Sequence, residues 1–212
     1  MEEVKISRQY EIGASTEVLS LIHQPDTNIV IFKRDVSSLW EDIESLLEKE
    51  FDFRASGDID SIQADLSVQL NNKQFGGVAK DVFDLLQLFA KVSNVESFRL
   101  FFGNVNTNMC RKFHTDINDL RMLCTYSGQG TMWLKEDNIK RDALRLPSSQ
   151  EQDIVIDEND IKQVETGSAV ILKGALYPKE GTKAVVHRSP TIEETRERRL
   201  LLRIDTNECL AH

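Results

Sequence analysis

From about Ser97 onward the chain breaks into short apolar runs separated by segments carrying Gly, Pro, Asn or Ser: SFRLFFGNV, LRMLCTY, TMWL, DIVI, SAVILKG, AVVHR and RRLLLRID. Runs of this length read as strands, and seven in succession confine that part of the chain to a sandwich or barrel. The residues before it are patterned differently. NIVIFKR (28–34) reads as a strand, after which Asp35 is placed to cap a helix from Val36 to Glu50 with Leu39, Ile43, Leu46 and Leu47 on one face. SIQADLSVQL (61–70) sets Ile62, Ala64, Leu66, Val68 and Leu70 in strict alternation, the period of a strand with one buried face. A helix is expected after Gly76-Gly77, with Val78, Val82, Leu85, Leu86 and Phe89 as its apolar stripe. Helices concentrated ahead of a run of strands make the fold class α+β, with the helices packed on one sheet of a β-sandwich. The expected organisation is a single domain over residues 1–212: a helix-rich part with the first strands over 1–96, and a β core over 97–212.

Composition narrows the partners. The 212 residues support a real core, and 26 Lys and Arg against 35 Asp and Glu leave a formal charge of −9. That balance gives no general attraction to phosphate backbones or anionic lipid, so nucleic acid and membrane are set aside as first partners. No apolar stretch approaches the roughly 20 residues needed to span a bilayer. Residues 1–20 mix charges throughout, unlike a signal peptide, and a cytoplasmic location is expected. Cys110, Cys124 and Cys209 lack CxxC spacing and read as reduced thiols rather than as a disulfide framework or zinc ribbon.

The search for chemistry is short, because the chain has only four histidines: His23, His114, His187 and His212. His114 lies in CRKFHTD, two residues before Asp116, and in an extended segment such neighbours point to the same side. His187 ends the apolar run AVVHR, and a jelly-roll would bring that strand beside the first. Two imidazoles and one carboxylate on one face of a metal form the facial triad of non-haem Fe(II) sites, which leaves coordination positions open. The spacing alone is equally compatible with a hydrogen-bonded loop pair, His114 with Asp116, and a satisfied histidine at a strand end. Cys110 and Cys124 lie near His114 in sequence and leave a thiolate alternative, which would favour zinc. Arg111 and Arg121 flank the motif and either orient an anionic substrate or pair with Asp119. Gly128 and Gly130 are simplest as turn residues permitting positive φ. No phosphate loop, Ser/His/Asp ordering or dinucleotide fingerprint is present.

The order and surroundings of these residues resemble the Fe(II)/2-oxoglutarate-dependent oxygenases over residues 98–205. The resemblance is carried by HTD (114–116), LCTYSGQGTMWL (123–134), ETGSAVILKG (165–174), His187 and the arginines of RERRLLLRID, with the departure that Gly128 and Gly130 are split by Gln129. HRSPTIEETRERRLLLRID is also similar to the phytanoyl-hydroxylase branch. Over more of the chain, FHTDINDLRMLCTY, AVVHRSP and RRLLLRID resemble a bacterial family of unknown function. The oxygenase resemblance implies a double-stranded β-helix, a jelly-roll of cupin-like type, binding Fe(II) through His114, Asp116 and His187 and 2-oxoglutarate as cosubstrate. The far carboxylate of 2-oxoglutarate then needs a cation, for which an arginine fork is suited. Arg198 is the first choice, Arg199 its neighbour on the opposite face, Arg203 a more distant candidate, and Tyr126 a possible donor to the cosubstrate. The substrate, small molecule or protein, is left open, as is the oligomeric state. The alternative is a non-catalytic, cupin-like protein that holds zinc or iron at the same residues for sensing, storage or delivery; a third reading is a structural relic with an empty site.

Overall fold

The structure, a computed structural model, describes residues 9–70, 72–146, 150–177 and 183–206, without the side chains of 72–74. The strands in chain order are β1 (Tyr10–Gly13), β2 (Ile29–Phe32), β3 (Asp52–Gly57), β4 (Phe98–Val105), β5 (Leu120–Ser127), β6 (Met132–Leu134), β7 (Lys162–Gln163), β8 (Ala169–Lys173), β9 (Val186–Arg188) and β10 (Arg199–Thr206). The helices are α1 (Trp40–Leu47), α2 (Ile59–Gln69), α3 (Asn72–Ser93) and two single turns, α4 (Arg141–Leu144) and α5 (Glu151–Ile154).

The strands form a seven-stranded sheet in the order β1-β2-β8-β5-β10-β4-β3 and a three-stranded sheet in the order β7-β6-β9. His114 extends the small sheet through an antiparallel bridge to His187. From β4 onward the chain alternates between the sheets: β4 in the large one, the His114 bridge in the small, β5 in the large, β6 and β7 in the small, then β8, β9 and β10 in turn. That winding is a double-stranded β-helix, with β1, β2 and β3 added at the two edges of the large sheet and helices on its outer face.

Side-chain alternation divides the core accordingly. Inward residues Ile31, Phe101, Leu123, Val170 and Leu201 of the large sheet meet Trp133 of the small sheet. Outward residues Phe102, Met122, Cys124, Ile171, Leu200 and Leu202 pack instead against Val78, Val82, Leu85 and Phe89 of α3 and Ile43 and Leu46 of α1. The expected stripe of α3 is therefore the face it buries. The helix after Asp35 opens as a 3-10 turn over Ser37–Leu39, with Asp35 accepting from Ser37 N at 2.8 Å, and its α-helical part ends at Leu47.

Two expected strands are helical. Residues 61–70 lie mostly in α2, whose buried residues Ile62 and Leu66 are followed by buried Leu70, a spacing of one helical face. Ala64 is exposed and Val68 is 86% exposed, so the alternation was coincidental. Asp58 accepts from Ser61 N and caps the start, a helix signal that precedes the apolar run. The segment DIVI begins inside α5, where Gln150 N donates to Asp153 in a local cap; only Val155 pairs as a strand would, with Ile139.

α3 is also tied to the sheet by a polar link. Arg34 donates to both carboxylate oxygens of Asp81, at 2.7 and 2.6 Å, and the Tyr126 hydroxyl donates to Asp81 at 2.5 Å. Burial raises the Tyr126 pKa well above its ordinary value, so the phenol stays a donor. Removing Asp81 strands both donors in a largely covered site. Asp81→Ala is expected to lower the unfolding free energy by about 2–3 kcal/mol in urea titration. Lys80→Ala, which loses only an exposed pair with Asp84, leaves the midpoint unchanged.

Candidate metal centre

His114 and His187 are joined by reciprocal backbone hydrogen bonds, each amide donating to the other's carbonyl at 3.0 Å. Directly opposed residues of an antiparallel pair present their side chains on the same side, and the two imidazole centroids lie 4.7 Å apart. In β9 the neighbours alternate: Val186 faces out, while His187 faces the barrel interior in register with Trp133. Asp116 follows His114 by two residues and closes the group. Its Oδ1 is 3.6 Å from His114 Nε2 and its Oδ2 is 3.3 Å from His187 Nε2. One ligand atom from each of the three residues lies within 4.8 Å of the others.

The rings are oriented for ligation. With Nδ1 protonated, His114 donates to Lys112 O at 2.9 Å, and His187 Nδ1 lies 3.5 Å from Val185 O. Both Nε2 lone pairs are then left for a cation. The loop bearing Asp116 is pinned against the segment after β8, where Ala175 N donates to Asp116 O and Gly174 N to Asp119 O. Only glycine fits at 174, because a Cβ there would stand 2.0 Å from Asn118 O.

Arg121 completes the charge balance. Its Nη1 lies 2.6 Å from Asp116 Oδ2 without the alignment of a hydrogen bond, and its Nε donates to Asp205 at 2.5 Å. Burial alone would raise the pKa of Asp116, but His114, His187 and Arg121 outweigh it and hold the carboxyl well below the usual range. The same pairing with Asp116 raises the pKa of His114 despite its burial. The donor set, two imidazoles and an ionised carboxylate, fits Fe(II) and other divalent metals that accept nitrogen and oxygen ligands.

The family described as a protein of unknown function, DUF1826, matches residues 13–205. The chain belongs to that family. No curated protein matches it. Among solved structures, this DUF1826 protein is similar to dioxygenase for auxin oxidation 1 from Arabidopsis thaliana, determined as a 2-oxoglutarate complex. The identity is 10%, the TM-score 0.50, and the match covers 93% of this chain and 91% of that one. A prolyl-4-hydroxylase from Pseudomonas putida aligns at 12% identity and TM-score 0.47, covering 90% and 92%. The Arabidopsis likeness is one of fold, and it agrees with the double-stranded β-helix traced above.

The arginines expected in the DUF1826 protein's site separate by strand parity. Arg198, the first choice, is corrected: it precedes β10 and donates to Leu47 O at the end of α1, on the helix side of the large sheet. Arg199 and Arg203 share the inward parity of Leu201. Arg199 is 1% exposed; its Nη2 donates to Thr125 Oγ1 at 3.2 Å while its Nε has no hydrogen-bond partner among the described residues. Burial pushes its pKa down to about 10, which still leaves it charged at neutral pH. Tyr126 is likewise corrected, since it faces α3 and is committed to Asp81. Arg111 pairs with Glu193, and Arg121 pairs with Asp116 and Asp205 rather than Asp119. Neither Cys110 nor Cys124 joins the candidate metal-ligating group found among the described residues; Cys124 is buried on the helix side with its thiol pKa raised by that burial to about 11. Cys209 and His212 lie outside the described residues. Gly128 does adopt positive φ, at 82°, whereas Gly130 is needed for closeness, since a Cβ there would meet Val164 O at 2.0 Å.

Sequence reasoning missed Trp133, Asp205 and the role of Arg121. Trp133 Nε1, on the same inner wall as His187, is a buried donor without a hydrogen-bond partner among the described residues. A usable signal existed in β10, where Arg203 and Asp205 occupy the parity of an inward leucine.

Metal titration tests the centre. His114→Ala and His187→Ala are each expected to reduce Mn(II) or Zn(II) affinity at least about 100-fold while near-ultraviolet dichroism stays native. Full retention of stoichiometric metal by both variants would sink the triad. In wild type, binding should weaken as the pH falls from about 8 to about 6, because the proton competes for ring nitrogens and the raised pKa of His114 starts that competition earlier. Affinity unchanged to about pH 4 would instead point to ligands with carboxylate-range pKa values.

Proposed function

We propose that this protein is a non-haem Fe(II)- and 2-oxoglutarate-dependent oxygenase. The observation that carries the reading is the coexistence, on the inner walls of one barrel, of a His-Asp-His face and a buried arginine with no carboxylate within ion-pair distance among the described residues. A buried guanidinium is costly unless an anion completes it. Arg199 and Thr125 would receive the far carboxylate of 2-oxoglutarate, and His114, Asp116 and His187 would hold the iron. The bound pair supplies one chemistry: 2-oxoglutarate is decarboxylated to succinate and CO2, one atom of O2 entering succinate and the other a C–H bond of the substrate.

The chain's own residues would bind and orient. The two Nδ1 contacts to backbone carbonyls fix the rings, and Arg121 keeps Asp116 ionised. Trp133, opposite His187, narrows the interior and excludes water. The alternative, a non-catalytic zinc or iron binder, needs only the three ligands and leaves Arg199 without a purpose. A formal charge of −9 supports a substrate other than nucleic acid. No helix among the described residues is long and apolar enough to cross a membrane, and Cys110 and Cys124 are free thiols, in keeping with the cytoplasmic location we propose.

Calorimetry on metal-loaded protein without oxygen separates the readings. Arg199→Ala should keep its metal but bind 2-oxoglutarate about 2–5 kcal/mol more weakly, the cost of removing one partner of a buried charge pair. Arg198→Ala should bind it as wild type does, and wild type supplied with Fe(II), 2-oxoglutarate and O2 should release succinate. Absence of 2-oxoglutarate binding in wild type, or equal binding in both variants, would leave the metal binder as the reading.

A further inference from the structure

Two rows of inward side chains run across the large sheet near the metal centre, and their register is explicit. One row is Arg54 on β3, Phe101 on β4, Arg203 on β10 and Leu123 on β5. The next is Ser56, Arg99, Asp205 and Arg121. Arg121 contacts Asp116, so Arg99 stands two strands from a residue that touches the metal-ligating group, about 10 Å at ordinary strand spacing. Arg54, Ala55, Ser56, Arg99, Phe101 and Arg203 line an open groove of about 340 Å³, within the size range of small-molecule sites.

The groove carries more positive charge than its carboxylates meet. Asp52 is taken by Arg54, and Asp205 is held by Arg121 at 2.5 Å, leaving Arg203 Nε 3.4 Å away without a hydrogen bond. Arg99 has no carboxylate within ion-pair distance among the described residues. The guanidiniums of Arg54 and Arg203 lie 4.9 and 5.8 Å from the centre of the Phe101 ring, which spaces them across the groove. A cationic groove on an otherwise acidic chain suits a single acid group rather than a polyanion, which would meet repulsion outside it.

We infer that this groove recognises the acid group, a carboxylate, phosphate or sulfonate, of a small-molecule substrate and presents the rest of that molecule to the metal centre. The inference rests on the oxygenase reading for the word substrate; the anion site itself does not.

The probes are benzoate and phenyl phosphate, with benzyl alcohol as the uncharged control, added to full-length protein saturated with 2-oxoglutarate and, separately, to Arg199→Ala so that the cosubstrate subsite cannot supply the signal. Both anions should bind and benzyl alcohol should not. The double substitution Arg54→Gln and Arg99→Gln, at two exposed strand positions, should weaken anion binding about 10-fold or more, and Arg198→Ala should leave it unchanged. With Mn(II) bound, the ring protons of the bound anion should relax faster than with Mg(II), which reports proximity to the metal. No anion binding, or binding indifferent to the double substitution, overturns the groove. Binding without paramagnetic relaxation overturns presentation to the metal. Anion binding in a metal-loaded wild type that does not bind 2-oxoglutarate keeps the groove and removes the oxygenase reading, so the two failures are distinct.

Discussion

A strand that lies in the middle of a sheet with both faces covered must account for every charge it carries. β10 is such a strand: β4 and β5 flank it, Leu200 and Leu202 pack on the helices, and Leu201 packs in the barrel. It nevertheless sends Arg199, Arg203 and Asp205 inward. Asp205 is matched by Arg121, which reaches on to Asp116, so the carboxylate of the candidate metal centre belongs to a charge chain that begins on the central strand. Arg203 is matched in part and Arg199 by a hydroxyl alone. Along the inward parity of this strand the charge therefore passes from a balanced Asp205, beside Arg121, to an Arg199 with no carboxylate within ion-pair distance among the described residues.

The outer face of the same sheet makes the opposite use of polar groups. There Arg34, Asp81 and Tyr126 meet one another's needs, and the link holds α3 over an otherwise apolar contact. Satisfied networks of this kind stiffen a fold, whereas the buried interior donors Trp133 Nε1, Arg199 Nε and Arg203 Nε have no hydrogen-bond partner among the described residues. The two faces of one sheet thus divide between holding the helices and forming the site.

Local pattern was legible where one constraint dominated. β5, β8 and β10 were readable because apolar runs of strand length leave few alternatives, and α3 because its stripe repeats with helical period over many residues. SIQADLSVQL misled because alternation and a four-residue spacing coincide over so short a segment; the deciding signal was Asp58, outside the run. His114 and Asp116 were legible as a pair from extended spacing. That His187 joins them depended on reciprocal backbone bonds between residues far apart in the chain.

The arginines mark the limit most clearly. By itself the sequence determined the strand-rich core, the helix-rich start, the short set of candidate ligating residues and the presence of several arginines after His187, because each follows from residue type and local period. Which arginine enters the barrel was decided by tertiary structure alone. In a strand of period two, a single residue of register exchanges the helix face for the barrel interior, and the register of β10 is set by its pairing with β4 and β5. The same pairing aligned Arg99 and Arg121, which are distant in sequence, on one inward row.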